Sequence, residues 1–132
     1  MSKSGLDTNV LVRYLTRDDG KQYQAACRVI DHADAETSFV LSPIVMCELV
    51  WVLESAYDYR RDEIAEALEK IMTTAQFEMI DKNLLRKSLD AYRQGKGDFA
   101  DYYVGYRNRA EGAHQTFTFD KALKHSEMFT CI

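Results

Sequence analysis

The chain has 132 residues, of which 46% are hydrophobic and 29% charged, and a net charge of −4. This length suits one domain over residues 1–132 with a core of its own, and the composition is that of a soluble globular protein rather than a general nucleic-acid coat. No segment approaches the roughly 20 apolar residues that span a bilayer, and no apolar signal-peptide core follows Met1, so we expect a cytoplasmic protein without a membrane partner. Cys27, Cys47 and Cys131 lack metal-ligand spacing, which predicts reduced thiols.

The first part of the chain predicts short strands separated by helices. In chain order these are a strand ending at Gly5-Leu6, helices over 9–16 and 22–32, a strand over 39–41, helices over 43–56 and 62–74, and a strand over 77–80. The clearest helix start is Ser42-Pro43, an N-cap followed by proline at the first helical position. The helix after it is apolar nearly all round, which predicts burial on most faces.

The second part continues the alternation. A helix carries Leu85, Leu89 and Tyr92 and is ended by the loop over 94–97; Asp98 then opens another helix, and strands follow over 114–119 and 128–132. Short strands alternating with helices predict an α/β fold, with a mainly parallel sheet covered by helices on both faces.

Acidic residues recur at one kind of position in this scheme. Asp7 and Asp120 each follow a predicted strand, and Glu48 lies on the helix after another strand. The carboxyl edge of a parallel sheet is where ligands bind. Carboxylates gathered there without His or Cys repel one another unless a hard cation holds them, which favours Mg²⁺ or Mn²⁺. We therefore expect Asp7, Glu48 and Asp120 at one edge of the same sheet.

Asp98 and Asp101 have a less certain place. Spacing alone does not put Asp101 beside the other acids, but it shares a helical face with Gly105 and Asn108, and these small or polar residues leave room for a ligand. Asp98 lies at the helix start, where a carboxylate caps backbone donors and can also reach an ion.

Each acid also has a structural explanation. Asp7, Asp98 and Asp120 are all favoured N-cap residues. Glu48, on an apolar helix, is explained equally by a buried ion pair or by a narrow exposed strip. Their joint occurrence favours metal-dependent chemistry on phosphates, because divalent ions neutralise the phosphate charge, lower the pKa of a bound water and stabilise the leaving oxygen.

Four motifs, taken together, resemble the PIN-domain ribonucleases of the VapC toxin type. They occur in the family's order over nearly the whole chain, and each is weak alone. The motifs are Gly5-Leu6-Asp7-Thr8-Asn9-Val10-Leu11-Val12-Arg13-Tyr14-Leu15, Glu48-Leu49-Val50-Trp51-Val52-Leu53, Asp98-Phe99-Ala100-Asp101 and Thr118-Phe119-Asp120-Lys121.

The resemblance implies a three-layer α/β/α domain and an endoribonuclease that uses Mg²⁺ or Mn²⁺. By resemblance, Asp7 and Asp101 match the principal metal ligands. Glu48 matches the acid that completes the ligand shell or orients the water, and Asp120 matches the acid that holds a second ion. Asp98 matches an extra acid. Asn9 and Thr118 match polar positions near that site. The resemblance further implies a homodimeric toxin of a type II toxin–antitoxin system. A cognate VapB-like antitoxin would inhibit it by laying a tail with a basic residue across the acids.

Two other functions compete with RNA cleavage. The haloacid-dehalogenase pattern of aspartyl nucleophiles requires a second Asp two residues after Asp7, where Asn9 stands. A non-catalytic PIN-like module would keep the acids only to capture a basic peptide. The sequence does not specify which RNA would be cleaved.

Overall fold

The protein is described by a computed structural model over residues 2–132, which form two compact units, one ending at Ile80 and the other spanning Asp81–Ile132. Unit 1 contains β1 Ser2–Gly5, α1 Thr8–Thr16, α2 Gly20–Ile30, β2 Thr37–Leu41, α3 Pro43–Ser55, α4 Arg61–Met72 and β3 Phe77–Met79. Unit 2 contains α5 Lys82–Gln94, α6 Phe99–Ala110, β4 Thr116–Thr118, a 3₁₀ turn over Lys121–Leu123, and β5 Phe129–Cys131. The predicted α/β class is confirmed, and every predicted strand and helix has a counterpart. Within the described residues, no helix is both long enough and apolar enough to cross a membrane.

The sheet of unit 1 is parallel, in the order β1-β2-β3. Gly5 lies opposite Val40, and Leu41 lies opposite Met79. Because parallel strands end at the same edge, the segments that follow β1 and β2 leave from the same side of the sheet. Those segments are the starts of α1 and α3.

The two faces of this sheet differ in polarity. Phe39 and Leu41 on β2 are buried in the core of unit 1. On the other face, the Lys3 ammonium lies 2.9 Å from a carboxylate oxygen of Glu78, whose second oxygen accepts a hydrogen bond from the Ser38 hydroxyl at 3.4 Å. This polar row crosses all three strands. It is exposed, so it contributes little net stability.

Helix α3 begins where its sequence predicts. The Val45 amide donates to the Ser42 hydroxyl at 3.3 Å, and Pro43 occupies the first turn. The buried face of α3 consists of Val45, Met46, Leu49, Val50 and Leu53.

The predicted burial of α3 on most faces is wrong along one stripe. The side chains of Ile44 and Trp51 are 71% and 68% exposed. Val29 of α2 is likewise exposed, whereas Ala26 and Ile30 of the same helix are buried. Hydrophobicity shows that a side chain favours burial, but it does not show that a neighbour covers it.

Unit 2 is built on two packed helices and a small sheet. The rings of Tyr92 on α5 and Phe99 on α6 meet edge to face, with centroids 6.1 Å apart. Strands β4 and β5 are parallel, and they form a two-stranded sheet of their own. Asp120 therefore follows a strand of a different sheet from β1 and β2, which corrects the expectation that it shares one sheet with Asp7 and Glu48. The order of strands in a sheet depends on pairing between residues that are distant in sequence, and the hydrophobic periodicity of a segment does not indicate that pairing.

Gly105 lets β5 approach α6. A Cβ atom at this position would lie 2.9 Å from the Phe129 ring and 3.1 Å from the Met128 methyl group. The space beside Gly105 is thus filled by packing, so the expectation that this helical face leaves room for a ligand is wrong. Asn108 on the same face donates a 3.1 Å hydrogen bond to the Thr116 hydroxyl. The small and polar residues of this face serve the junction between α6 and the β4–β5 sheet.

Substituting Gly105 tests that junction. Gly105→Ala should lower the free energy of unfolding by about 1–3 kcal/mol, because the added methyl group overpacks the contact with Phe129. Gly20→Ala is the matched control, since a Cβ there meets no described atom within 4 Å. Urea unfolding followed by circular dichroism measures both. Equal midpoints for the two variants would contradict the packing role.

Candidate functional site

Asp7 lies between β1 and α1, at the carboxyl end of the first strand. It is the N-cap of α1, with extended backbone angles of φ −82° and ψ 159°. One carboxylate oxygen accepts a 2.8 Å hydrogen bond from the Thr8 amide. The side chain is exposed. The N-cap explanation and a ligand role are therefore compatible, since the cap occupies only one of the two oxygens.

Thr8 connects Asp7 to Glu48. Thr8 is only 6% exposed, and its hydroxyl donates to Glu48 Oε1 at 3.0 Å. This bond joins the first turn of α1 to the middle of α3, and it orients the Glu48 carboxylate toward the helix that Asp7 caps. The sequence could not indicate this pairing, because the two residues are 40 positions apart and their separation follows no local pattern.

Glu48 itself is exposed, not buried. Of the two structural explanations considered for it, the exposed strip on an apolar helix is the one observed. The strip is the same one that bears Ile44 and Trp51. The carboxylate is open to solvent on one side and held by Thr8 on the other.

The neighbouring Cys47 does not add a thiolate. Burial, assisted by the negative charge of Glu48, raises the pKa of the Cys47 thiol to about 11. The thiol is neutral at physiological pH, and Cys27, Cys47 and Cys131 are free of disulfides, as predicted. Cys47 therefore offers no thiolate beside Glu48 at that pH.

In unit 2, the carboxylate of Asp101 lies within the electrostatic influence of two others. Asp101 lies in the first turn of α6, half-buried, and its pKa is raised mainly by burial and further by the negative charges of Asp98 and Asp120. We call Asp98, Asp101 and Asp120 the cluster of unit 2, because the charges of the other two both act on Asp101. A divalent cation would remove both causes of the raised pKa, because it compensates the burial and screens the repulsion.

Asp98 stands at the N-cap position without acting as a cap. Its backbone is extended, yet within residues 2–132 its carboxylate accepts no capping hydrogen bond. Of the two roles that the sequence leaves open for Asp98, a side-chain cap is thus not observed. The carboxylate is exposed, and it faces the positive end of the helix dipole without using a backbone donor.

A tyrosine fixes the loop before Asp98. The Tyr102 hydroxyl accepts a 3.1 Å hydrogen bond from the Gly97 amide and is buried against both Gly95 and Gly97. A Cβ atom at Gly95 would collide with the Tyr102 hydroxyl, and one at Gly97 would collide with the Leu123 side chain. The loop that looks flexible from its composition is thus anchored to the same helix that carries Asp101.

Asp120 is held by local hydrogen bonds after β4. It caps the 3₁₀ turn by accepting from the Ala122 amide at 2.9 Å, as an N-cap residue does. The Thr118 hydroxyl accepts from the Asp120 amide at 3.0 Å. Thr118, singled out as a polar neighbour, positions the backbone of Asp120.

All five acids thus lie at element ends or on helices, and each retains oxygen atoms for a ligand. Asp7 and Glu48 are connected through Thr8 in unit 1, and Asp98, Asp101 and Asp120 form the cluster of unit 2. Within residues 2–132, no three His, Cys, Asp or Glu side chains are grouped as a metal site. The donors in each unit are carboxylate and hydroxyl oxygens, a set that suits Mg²⁺ or Mn²⁺ rather than zinc.

The PIN-domain family profile matches residues 6–126. The chain belongs to the PIN-domain family. It is also 24% identical to a VapC ribonuclease of Aquifex aeolicus (strain VF5) over 119 residues, which cover 90% of this chain and 88% of the relative. PIN domains are typically nucleases, and PIN nucleases generally use divalent metals. The family resemblance inferred from the four motifs is confirmed.

The role of Asp98 can be tested by comparing two N-cap positions of this PIN domain. Asp19 caps α2 by accepting from the Gln22 amide at 3.0 Å. Asp19→Ala should lower the free energy of unfolding by about 1 kcal/mol. Asp98→Ala should change it by less than about 0.5 kcal/mol, because no capping bond is lost and repulsion with Asp101 falls. Chemical unfolding of both variants measures the difference, and a comparable loss for Asp98→Ala would restore the cap interpretation.

Proposed function

We propose that this PIN domain is an endoribonuclease that hydrolyses RNA phosphodiester bonds with Mg²⁺ or Mn²⁺. The observation that carries the proposal is the half-buried Asp101, on which the charges of Asp98 and Asp120 act, in a chain of a typically nucleolytic family. A carboxylate that is half-buried beside two others is costly without a counter-charge. Functional sites accept such costs when the ligand that offsets them is part of the chemistry.

The acids have distinct proposed roles. Asp7 and Asp101 are the principal metal ligands, Asp120 holds a second ion, and Asp98 is an additional ligand. Glu48 completes the ligand shell or orients the attacking water, and the Thr8 hydroxyl fixes its direction. When bound, divalent ions neutralise the phosphate charge, lower the pKa of water and stabilise the leaving oxygen. The protein supplies oriented carboxylates, and the Cys47 thiol beside Glu48 stays protonated and does not compete with them.

We further infer a toxin of a type II toxin–antitoxin system. The relationship to a protein named VapC ribonuclease supports this, since the similarity extends over most of both chains. The proposed partners are RNA as substrate, a cognate VapB-like antitoxin with a basic tail, and a second copy of the chain. The exposed Ile44 and Trp51 on α3 support association with another protein surface. The family match over 6–126 supports one PIN domain for the whole chain.

Cleavage assays test the proposed activity. Purified protein with Mg²⁺ or Mn²⁺ should cut total RNA, and EDTA should stop it. Asp7→Asn and Asp101→Asn should each lower the rate by more than about 100-fold, because even partners of metal ligands cost 10–100-fold when altered. Asp90→Asn, an exposed acid on α5, is the matched control and should keep the wild-type rate.

Wild-type rates in Asp7→Asn or Asp101→Asn would refute the site. Absence of cleavage with either metal, together with tight binding of a lysine-rich peptide, would instead support the non-catalytic PIN-like module. That alternative uses the same acids without a metal-dependent reaction.

Metal binding can be measured without activity. Mg²⁺ should raise the melting temperature, because a ligand that binds only the folded state stabilises it by about 2.7 kcal/mol at roughly 100 times its Kd. Asp101→Asn should melt higher than wild type in EDTA, since repulsion with Asp98 and Asp120 is relieved, and should gain less from Mg²⁺. Differential scanning calorimetry measures both shifts. Identical Mg²⁺ responses in the two proteins would exclude Asp101 as a ligand.

A further inference from the structure

A groove in unit 2 is not used by the proposed metal chemistry. It lies between the end of α5, the loop before Asp98, α6 and the segment after the 3₁₀ turn, and its volume is about 340 Å³. Sites for small molecules usually have volumes of about 300–1,000 Å³. We call this the donor groove, and its polar lining residues are Gln94, Lys96, Tyr102, His125 and Ser126.

The polar side chains of the donor groove can all donate hydrogen bonds, and none is a carboxylate. The Lys96 ammonium has three donors and no acceptor, and the His125 imidazole has an N–H donor in either protonation state. Both side chains are exposed, and neither has a hydrogen-bond or ion-pair partner within residues 2–132. Such a groove suits a ligand that is anionic and rich in acceptor atoms.

The buried Tyr102 gives the strongest indication of a ligand. It is only 4% exposed, and its hydroxyl accepts a 3.1 Å hydrogen bond from the Gly97 amide. Within residues 2–132, the hydroxyl has no acceptor for its own hydrogen. A buried tyrosine hydroxyl usually finds a partner. Because Tyr102 lines the donor groove, an oxygen of a bound ligand would supply the acceptor.

Ser126 offers a second hydroxyl from another segment. Its oxygen accepts a long 3.4 Å hydrogen bond from the Met128 amide, so its hydrogen remains available to a ligand. The donors of the groove thus come from α6, from the loop before it and from the segment after the 3₁₀ turn. Convergence of a few polar groups from separate segments is typical of a binding site.

Charge near the groove agrees with an anionic ligand. Residues 81–132 contain nine Lys and Arg against seven Asp and Glu, a net charge of +2, although the whole chain carries −4. Lys124, directly before His125, is exposed, and so is Lys87, four residues before the groove residue Ala91. A phosphate group has acceptor oxygens in tetrahedral directions, so it can satisfy donors from several sides. A carboxylate accepts mainly in one plane.

The donor groove is built from the same segments as the cluster of unit 2. Ala122, which lines the groove, donates its amide hydrogen to the Asp120 carboxylate at 2.9 Å. Lys96 lies two residues before Asp98, and Tyr102 directly follows the half-buried acid of α6. An anion held in the groove would therefore lie next to the segments that bear the acids.

We propose that the donor groove is a phosphate-binding site. The two hydroxyls donate to the phosphate oxygens, Lys96 supplies positive charge and His125 supplies a further donor. Two sources provide this chemistry. One is an RNA phosphate that neighbours the cleaved bond, and this source rests on the proposed function. The other is a free phosphate, which does not require RNA cleavage.

Titration with inorganic phosphate tests the site directly. Sodium phosphate added to isotope-labelled protein in EDTA, at constant pH and ionic strength, should shift the NMR signals of groove amides along saturating curves. Sodium chloride at the same ionic strength should not, because chloride has no set of tetrahedral oxygens. The amides expected to respond are those of Lys96, Ala122, His125 and Ser126.

The buried donor is tested by Tyr102→Phe in the same titration. Loss of a hydrogen bond to a charged group should weaken phosphate binding by roughly 10- to 150-fold. Tyr106→Phe removes a half-buried hydroxyl from the same helix and should bind phosphate as wild type does. Because Tyr102 also holds the Gly97 loop, Lys96 provides an independent test that leaves this bond in place.

Lys96→Gln should weaken phosphate binding by about two- to fivefold, the effect of one exposed charge pair. Lys82→Gln is the matched control, since it removes the same charge from an exposed residue at the other end of α5 and should leave the affinity unchanged. His125→Ala should likewise weaken binding, whereas His114→Ala, at an exposed histidine of the same unit, should not.

RNA binding then identifies the source of the phosphate. Anisotropy of a labelled RNA oligonucleotide would be measured in the cleavage-deficient Asp101→Asn background with Mg²⁺. If an RNA phosphate occupies the groove, adding Lys96→Gln should weaken binding more than adding Lys82→Gln. It should also reduce the slope of log affinity against log salt by about 0.7–0.9. Equal RNA affinities, with phosphate binding still lost in Lys96→Gln, would assign the site to free phosphate.

Shifts that do not saturate, or that chloride reproduces, would overturn the proposal. So would wild-type phosphate affinity in both Tyr102→Phe and Lys96→Gln. Saturable phosphate binding without cleavage of RNA in either metal would refute the proposed activity and leave the phosphate site standing. Cleavage that needs Asp101, without phosphate binding in the groove, would do the reverse.

Discussion

Parallel pairing of β1 with β2 is the constraint on which the geometry of unit 1 depends. The register that places Gly5 opposite Val40 makes both strands end at one edge, so that α1 and α3 start there together. Thr8, in the first turn of α1, can then reach Glu48 in the second turn of α3. A slip of one residue would reverse the side-chain directions of β1 and shift the start of α1 along the sheet edge. The direction of the Glu48 carboxylate thus depends on the backbone hydrogen bonds between β1 and β2, through the position that they give to Thr8.

Unit 2 positions its acids by a different principle. Asp98, Asp101 and Asp120 come from a loop, a helix and the end of a strand, and short-range hydrogen bonds hold the backbone around them. Packing at Gly105 keeps the β4–β5 sheet against α6, which maintains the distance between Asp120 and Asp101 despite their repulsion. The carboxylates are therefore locally destabilising, and the apolar contacts between α6 and the β4–β5 sheet compensate for that cost. Such compensation is common at sites that bind charged ligands.

Local chemistry made some features predictable and others not. Ser42-Pro43 started α3 as expected, because capping depends only on neighbouring residues. The sequence alone leaves a buried ion pair and an exposed strip equally open for Glu48, because an apolar composition does not reveal which stripe of the helix lacks a neighbour. Asp120 was assigned to the wrong sheet because strand order depends on contacts distant in sequence. The five acids could be selected from spacing and family resemblance, but the link through Thr8 and the packing of Gly105 could not, since both require three-dimensional proximity.

The bond between the Gly97 amide and the Tyr102 hydroxyl has a consequence for motion. It ties the loop that ends at Asp98 to the helix that bears Asp101, and the Tyr102 side chain lies close against Gly95 and Gly97. The loop and the first turns of α6 must therefore open together, as one cooperative unit. Exchange of the Gly97 amide with solvent would report that opening directly. Such coupling makes the arrangement of Asp98 and Asp101 depend on one opening event and not on two independent ones.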